Sequence, residues 1–313
     1  MSVVKTLFLV AALVYVGVKT AEAVQGVRTN ALVFHLSPSW LLASAAFVLS
    51  AYALLIWTWL YVVRALSGRS MPYLIAARIW FISNLGKYIP GKIWQIVQMG
   101  LMSTEQGIDP VSSTAAAIVN AGVNVAMGLA VGVVAGAPLF DRLLEPYGVA
   151  WLSRVVAVLA LICVVLLPFM LPWAFRTGHR KFGIGAPIEA APTRAIVVSA
   201  IANIVAWFLY GAAFQCLIHG LLGSTNGSLI EYTAAFAISY VLGYLMVLAP
   251  GGLGVREIAL VQVLIAGGMA TNIEASAISV SSRLWLVVIE VLPALLFLAY
   301  RPRRTDDKGP TRV

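Results

Sequence analysis

Long apolar stretches, separated by short polar segments, run through this chain of 313 residues. The runs at 41–61, 115–135, 155–170 and 196–209 are almost uninterrupted, and they approach the roughly 20 residues that a membrane-spanning helix requires. The pattern predicts six spans, near residues 3–22, 40–64, 112–137, 150–175, 194–222 and 273–299. We therefore expect an all-α polytopic membrane protein.

Two further apolar segments, near 75–106 and 229–268, are interrupted by proline and glycine and carry charge. Residues 84–94 read NLGKYIPGKIW, and residues 250–257 read PGGLGVRE. A broken helix exposes backbone groups that hydrocarbon cannot satisfy, so such a segment is buried in protein or lines a watery cavity. Paired interruptions in corresponding halves of a chain are typical of a transporter's binding site. We predict that both segments are re-entrant.

The order of elements repeats along the chain. Each half has two spans, a broken segment and a third span, and the distances from Pro90 to Gly107 and from Pro250 to Gly267 are both 17 residues. We predict a first transmembrane repeat at 1–140, a second at 141–300 and a basic tail at 301–313. An odd number of spans per half makes the halves an inverted repeat. Chance similarity is the alternative, because side-chain identity between the halves is weak.

Composition and charge support this class. Hydrophobic residues make up 61% of the chain and charged residues only 11%, with a net charge of +9. Placing both termini in the cytoplasm puts 15 of the 21 basic residues inside, as the positive-inside rule predicts for the cytoplasmic membrane. The basic charge therefore does not indicate nucleic-acid binding. We expect the tail to lie against anionic lipid headgroups.

Both breaks carry cations that suit an anion. Lys87 and Lys92 bracket the first break, and with the backbone N–H groups near Gly91 they would bind a phosphate. The alternative is that both lysines snorkel to the cytoplasmic interface. In the second break, Arg256 offers a rigid donor fork for phosphate or carboxylate, and Glu257 is its partner, an acceptor for an amine, a proton carrier or a first-turn acid that complements the helix dipole.

The last span carries Arg283 and Glu290, seven residues apart and so near one face. Ionisable groups inside a membrane indicate function by default, although a structural pair between Arg283 and Glu257 is an alternative. The candidate substrate-binding residues are Lys87, Tyr88, Pro90, Gly91, Lys92, Trp94, Pro250, Gly251, Gly252, Gly254, Arg256, Glu257, Arg283 and Glu290. Polar contact between helices is the predicted role of Asn84, Gln95, Gln98, Asn120, Asn124 and Asn203.

The chain shows none of the usual catalytic patterns. The acids outside the spans are scattered, and no Ser/His/Asp grouping, P-loop or metal-ligand spacing is present. Its two cysteines lie in apolar runs, and its three histidines share no ligand-like spacing. We predict no enzyme activity, no catalytic residues, no metal and no cofactor.

At the two Pro-Gly motifs the chain resembles the flippase-like transmembrane region of lysylphosphatidylglycerol synthases and their stand-alone relatives. Arg283-Leu284 with Pro293 is similar to a third feature of that family. The resemblance implies a pseudo-symmetric bundle with two re-entrant helix pairs that moves a polar lipid between leaflets. The soluble aminoacyl-transferase domain of the best-known members has no counterpart in these residues, so we do not expect synthesis of an aminoacylated lipid. Many relatives carry an acidic–basic pair where Asn120 and Asn124 stand.

These observations predict a flippase-like transporter for an anionic phospholipid or a polyprenyl-phosphate-linked lipid. Lys87 and Lys92 would hold the phosphate from the cytoplasmic side, Arg256 and Arg283 would hold it from the outer side, and Glu257 would balance charge. Two alternatives are a membrane-embedded transferase acting on a lipid carrier and a non-transporting accessory subunit of a lipid or glycan pathway. The expected partners are the lipid itself and either a second copy of the chain or a lipid-modifying enzyme.

Overall fold

The computed structural model describes residues 35–88, 93–145, 193–245 and 254–299, with scattered positions between 148 and 166. Within these residues every regular element is helical. The helices are α1 (Pro38–Ser67), α2 (Tyr73–Asn84), α3 (Ile93–Thr104), α4 (Pro110–Ala135), α5 (Ala137–Leu144), α6 (Thr193–Leu222), α7 (Leu229–Leu245), α8 (Val255–Ala266) and α9 (Asn272–Ala299), with a 3-10 turn at Leu85–Tyr88 after α2.

Four helices are long and apolar enough to cross a membrane. These are α1, α4, α6 and α9, with 30, 26, 30 and 28 residues, and they confirm the spans predicted at 40–64, 112–137, 194–222 and 273–299. The predicted span at 3–22 lies outside the described residues, as does much of the span at 150–175.

The outer surface of this bundle is apolar. Leu42 on α1 and Leu296 on α9 are each 70% exposed, and Ile258 on α8 is 64% exposed. Apolar surface on this scale is unfavourable in water and favourable against lipid tails. The protein is therefore integral to a membrane.

The first interrupted segment forms an antiparallel hairpin of α2 and α3. Each helix has 12 residues and is therefore only about 18 Å long, too short to cross a hydrocarbon core of about 30 Å. Near the break, Gln95 Nε2 donates to Asn84 Oδ1 at 3.0 Å. At the open end, Arg69 Nη1 donates to the carbonyl of Gly107 at 2.6 Å. The chain thus enters and leaves this hairpin at the same end.

The second interrupted segment forms a matching hairpin of α7 and α8. Glycines allow close packing at both of its ends: a Cβ added to Gly243 would lie 2.7 Å from the Cβ of Arg256, and one added to Gly227 would lie 3.0 Å from the sulfur of Met269. The order of long helix, hairpin and long helix therefore occurs twice along the described chain.

The long helices α1 and α6, one from each half, run in opposite directions. The N–H of Ser37 donates to the carbonyl of Gly220 at 2.9 Å, and Ser44 Oγ donates to the carbonyl of Ala213 at 2.7 Å. The start of α1 therefore lies beside the end of α6, and these two helices share the most extensive helix–helix contact. Their antiparallel pairing forms the centre of the bundle.

The hairpins pack across the halves in a reciprocal way. Helix α4 packs on α7, and α9 packs on α2. Gly128 and Gly132 on α4, with Gly136 directly after it, form a small-residue stripe. A Cβ at Gly132 would lie 2.9 Å from Cγ1 of Ile238 on α7. Small residues let membrane helices approach closely. Each hairpin is thus packed on the last long helix of the other half, and described residues beside the two breaks line a common cavity.

Candidate functional site

A cavity of about 150 Å³ lies between the two hairpins. Its wall includes residues from the first break, from the start of α8 and from long helices of both halves. The wall is mainly apolar and aromatic, with a small number of charged and carboxamide side chains. This composition is common in ligand sites, where a few polar groups fix the orientation of the ligand.

One side of the cavity contains a shared carboxylate. Glu290 on α9 is 4% exposed, and its Oε1 accepts from the Lys87 ammonium at 2.5 Å and from the Tyr52 hydroxyl at 2.5 Å. A carboxylate inside a membrane is costly unless such donors satisfy it. Because Lys87 belongs to the first hairpin and Glu290 to the last helix, this ion pair joins the two halves.

Arg256, at the start of α8, is a second charged group in the wall. It is 8% exposed, and its guanidinium carbon lies 5.2 Å from the Phe236 ring centre and 5.1 Å from that of Tyr240. These cation–π contacts stabilise the charge, but its buried Nη2 has no hydrogen-bond partner among the described residues. A buried N–H without an acceptor is costly, so this site favours an incoming anion.

Glu257, next to Arg256 in the chain, pairs with a different arginine. Its Oε1 accepts from Arg283 Nη1 at 2.6 Å, and its Oε2 accepts from the Gly254 N–H at 2.7 Å. The second contact caps α8, and the φ of 86° at Gly254 is in the region that favours glycine. The structural pair with Arg283 and the first-turn role, both alternatives from the sequence, are thus present together.

Four of the candidate residues from the sequence, which are far apart along the chain, lie together in this one cavity. Lys87, Arg256, Arg283 and Glu290 all line it, although the sequence assigned Lys87 and the two arginines to opposite sides of the membrane. Trp94 is 46% exposed and does not contribute to the lining. Outside the described residues lie Pro90, Gly91, Lys92, Pro250, Gly251 and Gly252, together with the side chain of Tyr88.

Several lining residues were not assigned to the site from the sequence. They are the tyrosines and carboxamides Tyr52, Tyr210, Tyr240, Tyr244, Asn84, Gln95, Asn120 and Asn124. Some also hold helices together as predicted, since Asn124 Nδ2 donates to Asn203 Oδ1 at 2.7 Å. Their spacing in the sequence could have indicated two of these residues. Asn120 and Asn124 are four residues apart in α4, so they share a helix face.

The charges of the described cavity do not cancel. Lys87 is paired with Glu290, and Arg283 is paired with Glu257. Arg256 is left without a carboxylate partner among the described residues. The cavity thus retains one positive charge in an environment of low dielectric constant, where an electrostatic attraction is stronger than in water.

Comparison with known proteins agrees with the geometry. The family model described as Lysylphosphatidylglycerol synthase TM region matches residues 2–293. This match confirms the resemblance seen at the two Pro-Gly motifs, and it covers both hairpins, the long helices α1, α4 and α6, and α9 as far as Pro293. No curated protein matches the chain.

Proposed function

The chain belongs to the lysylphosphatidylglycerol synthase TM-region family, which gives it a membrane lipid-related function, and from this premise we propose that it is a lipid flippase. Its substrate is an anionic phospholipid or a polyprenyl-phosphate-linked lipid, which it moves between the leaflets of the cytoplasmic membrane. Both termini lie in the cytoplasm, and the basic tail contacts anionic headgroups.

The observation that carries this proposal is the buried guanidinium of Arg256 in the cavity wall, whose Nη2 has no hydrogen-bond partner among the described residues. Arginine offers parallel N–H donors that match the oxygens of a phosphate. Its cation–π contacts with Phe236 and Tyr240 stabilise the charge but supply no oxygen acceptor for its N–H groups. A headgroup phosphate would supply the acceptor that Nη2 lacks.

The architecture supports transport in this proposal. The repeats at 1–140 and 141–300 are inverted, and each contributes a re-entrant hairpin. Antiparallel pairing of α1 with α6 and the reciprocal packing of α4 on α7 and α9 on α2 fit a two-fold axis in the membrane plane. Transporters of this kind alternate access by moving one repeat against the other around a central site.

The cations of the two breaks have complementary roles in this mechanism. Lys87, with Lys92, meets the phosphate from the cytoplasmic side, and Arg256, with Arg283, holds it on the outer side. The Lys87–Glu290 ion pair crosses between the repeats, so it rearranges when one repeat moves. A phosphate that attracts the Lys87 ammonium competes with Glu290 and thereby favours that rearrangement.

We propose transport rather than catalysis because the carboxylates at the cavity are committed to structural contacts. Glu290 accepts from Lys87 and Tyr52, and Glu257 accepts from Arg283 and the Gly254 N–H. A transferase would require a carboxylate positioned to act as base or nucleophile.

The test is a flipping assay in proteoliposomes with a fluorescent phosphatidylglycerol. Arg256→Met removes the unpaired cation, and Arg64→Met removes an exposed arginine of α1 as the matched control. Because a charge-assisted hydrogen bond is worth about 1.5–3 kcal/mol, we expect Arg256→Met to slow flipping at least about tenfold while Arg64→Met does not. Wild-type flipping by Arg256→Met would contradict the proposal, and turnover of the lipid by the pure protein would favour a transferase.

A further inference from the structure

Four carboxamide side chains line the cavity as a group. They are Asn84 at the end of α2, Gln95 on α3, and Asn120 and Asn124 on α4. On α4, Ala117 and Ala121 also line the cavity, and these small side chains leave room beside the two asparagines. Uncharged groups that each offer both a donor and an acceptor thus form part of the wall.

Each carboxamide uses only part of its hydrogen-bonding capacity within the protein. The Asn120 carboxamide contacts Thr58 Oγ1 through one of its two polar atoms at 3.0 Å, which leaves its other polar atom without a partner among the described residues. Gln95 and Asn84 share one bond at 3.0 Å, which leaves the Gln95 carbonyl and the Asn84 NH₂. Asn124 donates to Asn203 at 2.7 Å, which leaves its own carbonyl.

The unused groups include both donors and acceptors. The Asn84 NH₂ group, the Gln95 and Asn124 carbonyls and the second polar atom of Asn120 remain for a ligand, and the NH₂ groups of Gln95 and Asn124 each keep a second N–H. Hydroxyl groups match such a wall, because each hydroxyl both donates and accepts. A cationic amine matches it poorly, because it only donates.

The carboxylates near the cavity are unsuited to receive an amine. Glu290 already accepts from Lys87 and Tyr52 through the same oxygen, and both oxygens of Glu257 are bonded. An ammonium group entering the cavity would also meet the uncompensated charge of Arg256. Like charges in a site of low dielectric constant repel strongly.

We propose that the substrate is an anionic lipid whose headgroup carries uncharged hydroxyl groups beside its phosphodiester. Arg256 binds the phosphate, and the carboxamide group (Asn84, Gln95, Asn120 and Asn124) binds the hydroxyls. The site selects a glycerol-, inositol- or sugar-bearing phospholipid over an aminoacylated one. This inference rests on the proposed function, because it assigns a lipid phosphate to Arg256.

Four lipids test the phosphate-binding part and the hydroxyl-binding part of the site separately. Phosphatidylglycerol has the phosphate and hydroxyls, phosphatidic acid has the phosphate alone, glucosyl-diacylglycerol has hydroxyls alone, and lysyl-phosphatidylglycerol adds amines. Each is titrated into the purified full chain in detergent, and the apparent Kd is measured by native mass spectrometry. We expect phosphatidylglycerol to bind about tenfold more tightly than the other three, because two added hydrogen bonds are worth about that factor.

Variants assign each preference to its residues. Asn120→Ala and Gln95→Ala should each weaken the binding of phosphatidylglycerol about threefold and leave the binding of phosphatidic acid unchanged. Gln98→Ala is the matched control, because Gln98 lies on α3 with Gln95 and is half-buried, but it does not line the cavity. Arg256→Met should weaken the binding of phosphatidylglycerol and of phosphatidic acid, and it should leave the binding of glucosyl-diacylglycerol unchanged. Melting temperatures of all variants are recorded to identify any that fail to fold.

The outcomes distinguish this inference from the proposed function. Equal binding of phosphatidic acid and phosphatidylglycerol, both weakened by Arg256→Met, would overturn the hydroxyl subsite and leave anion transport standing. Tightest binding of lysyl-phosphatidylglycerol would also overturn the hydroxyl preference. If Arg256→Met changes the binding of none of the four lipids, the proposed function itself would be overturned.

Discussion

The ammonium of Lys87 lies 2.5 Å from Oε1 of Glu290, 203 residues further along the chain. This contact connects the break of the first hairpin to the last long helix, and the Tyr52 hydroxyl donates to the same oxygen. The buried carboxylate therefore accepts from two donors that belong to two different elements. A change in the packing of the two halves would alter these hydrogen bonds.

Neutralising this carboxylate should destabilise the protein. Glu290→Gln leaves the Lys87 ammonium without its counter-charge, and we expect the free energy of unfolding to fall by about 3 kcal/mol, as for other broken buried pairs. Replacing both partners, in Lys87→Met with Glu290→Leu, should restore much of that loss. Thermal unfolding in detergent measures both effects. Glu274→Gln, at an exposed cap, is the control, and a loss no larger than the control's would contradict the account.

The absence of a side chain at Gly243 should allow Arg256 to occupy its observed position. A Cβ at residue 243 would lie 2.7 Å from that of Arg256, so Gly243→Ala displaces the guanidinium or separates α7 from α8. We expect weaker binding of anionic lipid and a loss of about 1–3 kcal/mol in stability. At Gly122, a Cβ would meet nothing within 4 Å, so Gly122→Ala should keep lipid binding. Equal binding by the two variants would show that this packing does not position Arg256.

Two substitutions at Glu257 should separate its two contacts. Glutamine can still accept from the Gly254 N–H but carries no charge for Arg283, whereas alanine loses both contacts. We therefore expect stability to decrease from wild type to Glu257→Gln to Glu257→Ala, with the loss of the cap contributing about 1 kcal/mol. Hydrogen exchange at the Gly254 amide should accelerate only in Glu257→Ala. Equal exchange in both variants would argue against the capping contact.

The hairpins should open on opposite faces of the membrane. Single cysteines are placed at exposed positions that flank the hairpins, in a background without native cysteines: Ser70 and Glu105 for the first, Ser224 and Asn272 for the second. A membrane-impermeant thiol reagent should label the first pair from the cytoplasmic side only and the second pair from the outer side only. Labelling of Ser70→Cys and Glu105→Cys from different sides would mean that the first segment crosses the membrane.

The sequence located the hairpins and their charges because these features are local. Proline, glycine and charge interrupt an apolar run only where the backbone has other partners, so Lys87 and Arg256 were identifiable without a structure. Arg283 and Glu290 stood out because charge is rare within a span. The four long helices in the described chain were predictable from the length of their apolar runs alone.

The sequence offered the pair between Glu257 and Arg283 only as one alternative, and it did not predict the pair between Lys87 and Glu290. Glu257 follows Arg256 directly, yet it pairs with Arg283, because consecutive residues of a helix point in different directions. The role of Tyr52 and Asn120 in the cavity was hidden for a related reason. A helix that faces lipid on one side and protein on the other is apolar all round, so its pattern does not show which face is turned inward.

The most direct measurement is native mass spectrometry of the gently extracted protein, with identification of the lipid that remains bound. We expect a retained anionic lipid in wild type and in Arg64→Met, and its loss in Arg256→Met, because only Arg256 offers the phosphate a buried and otherwise unpaired guanidinium in the described cavity. The same bound lipids in all three proteins, or only neutral lipids in the wild type, would contradict it.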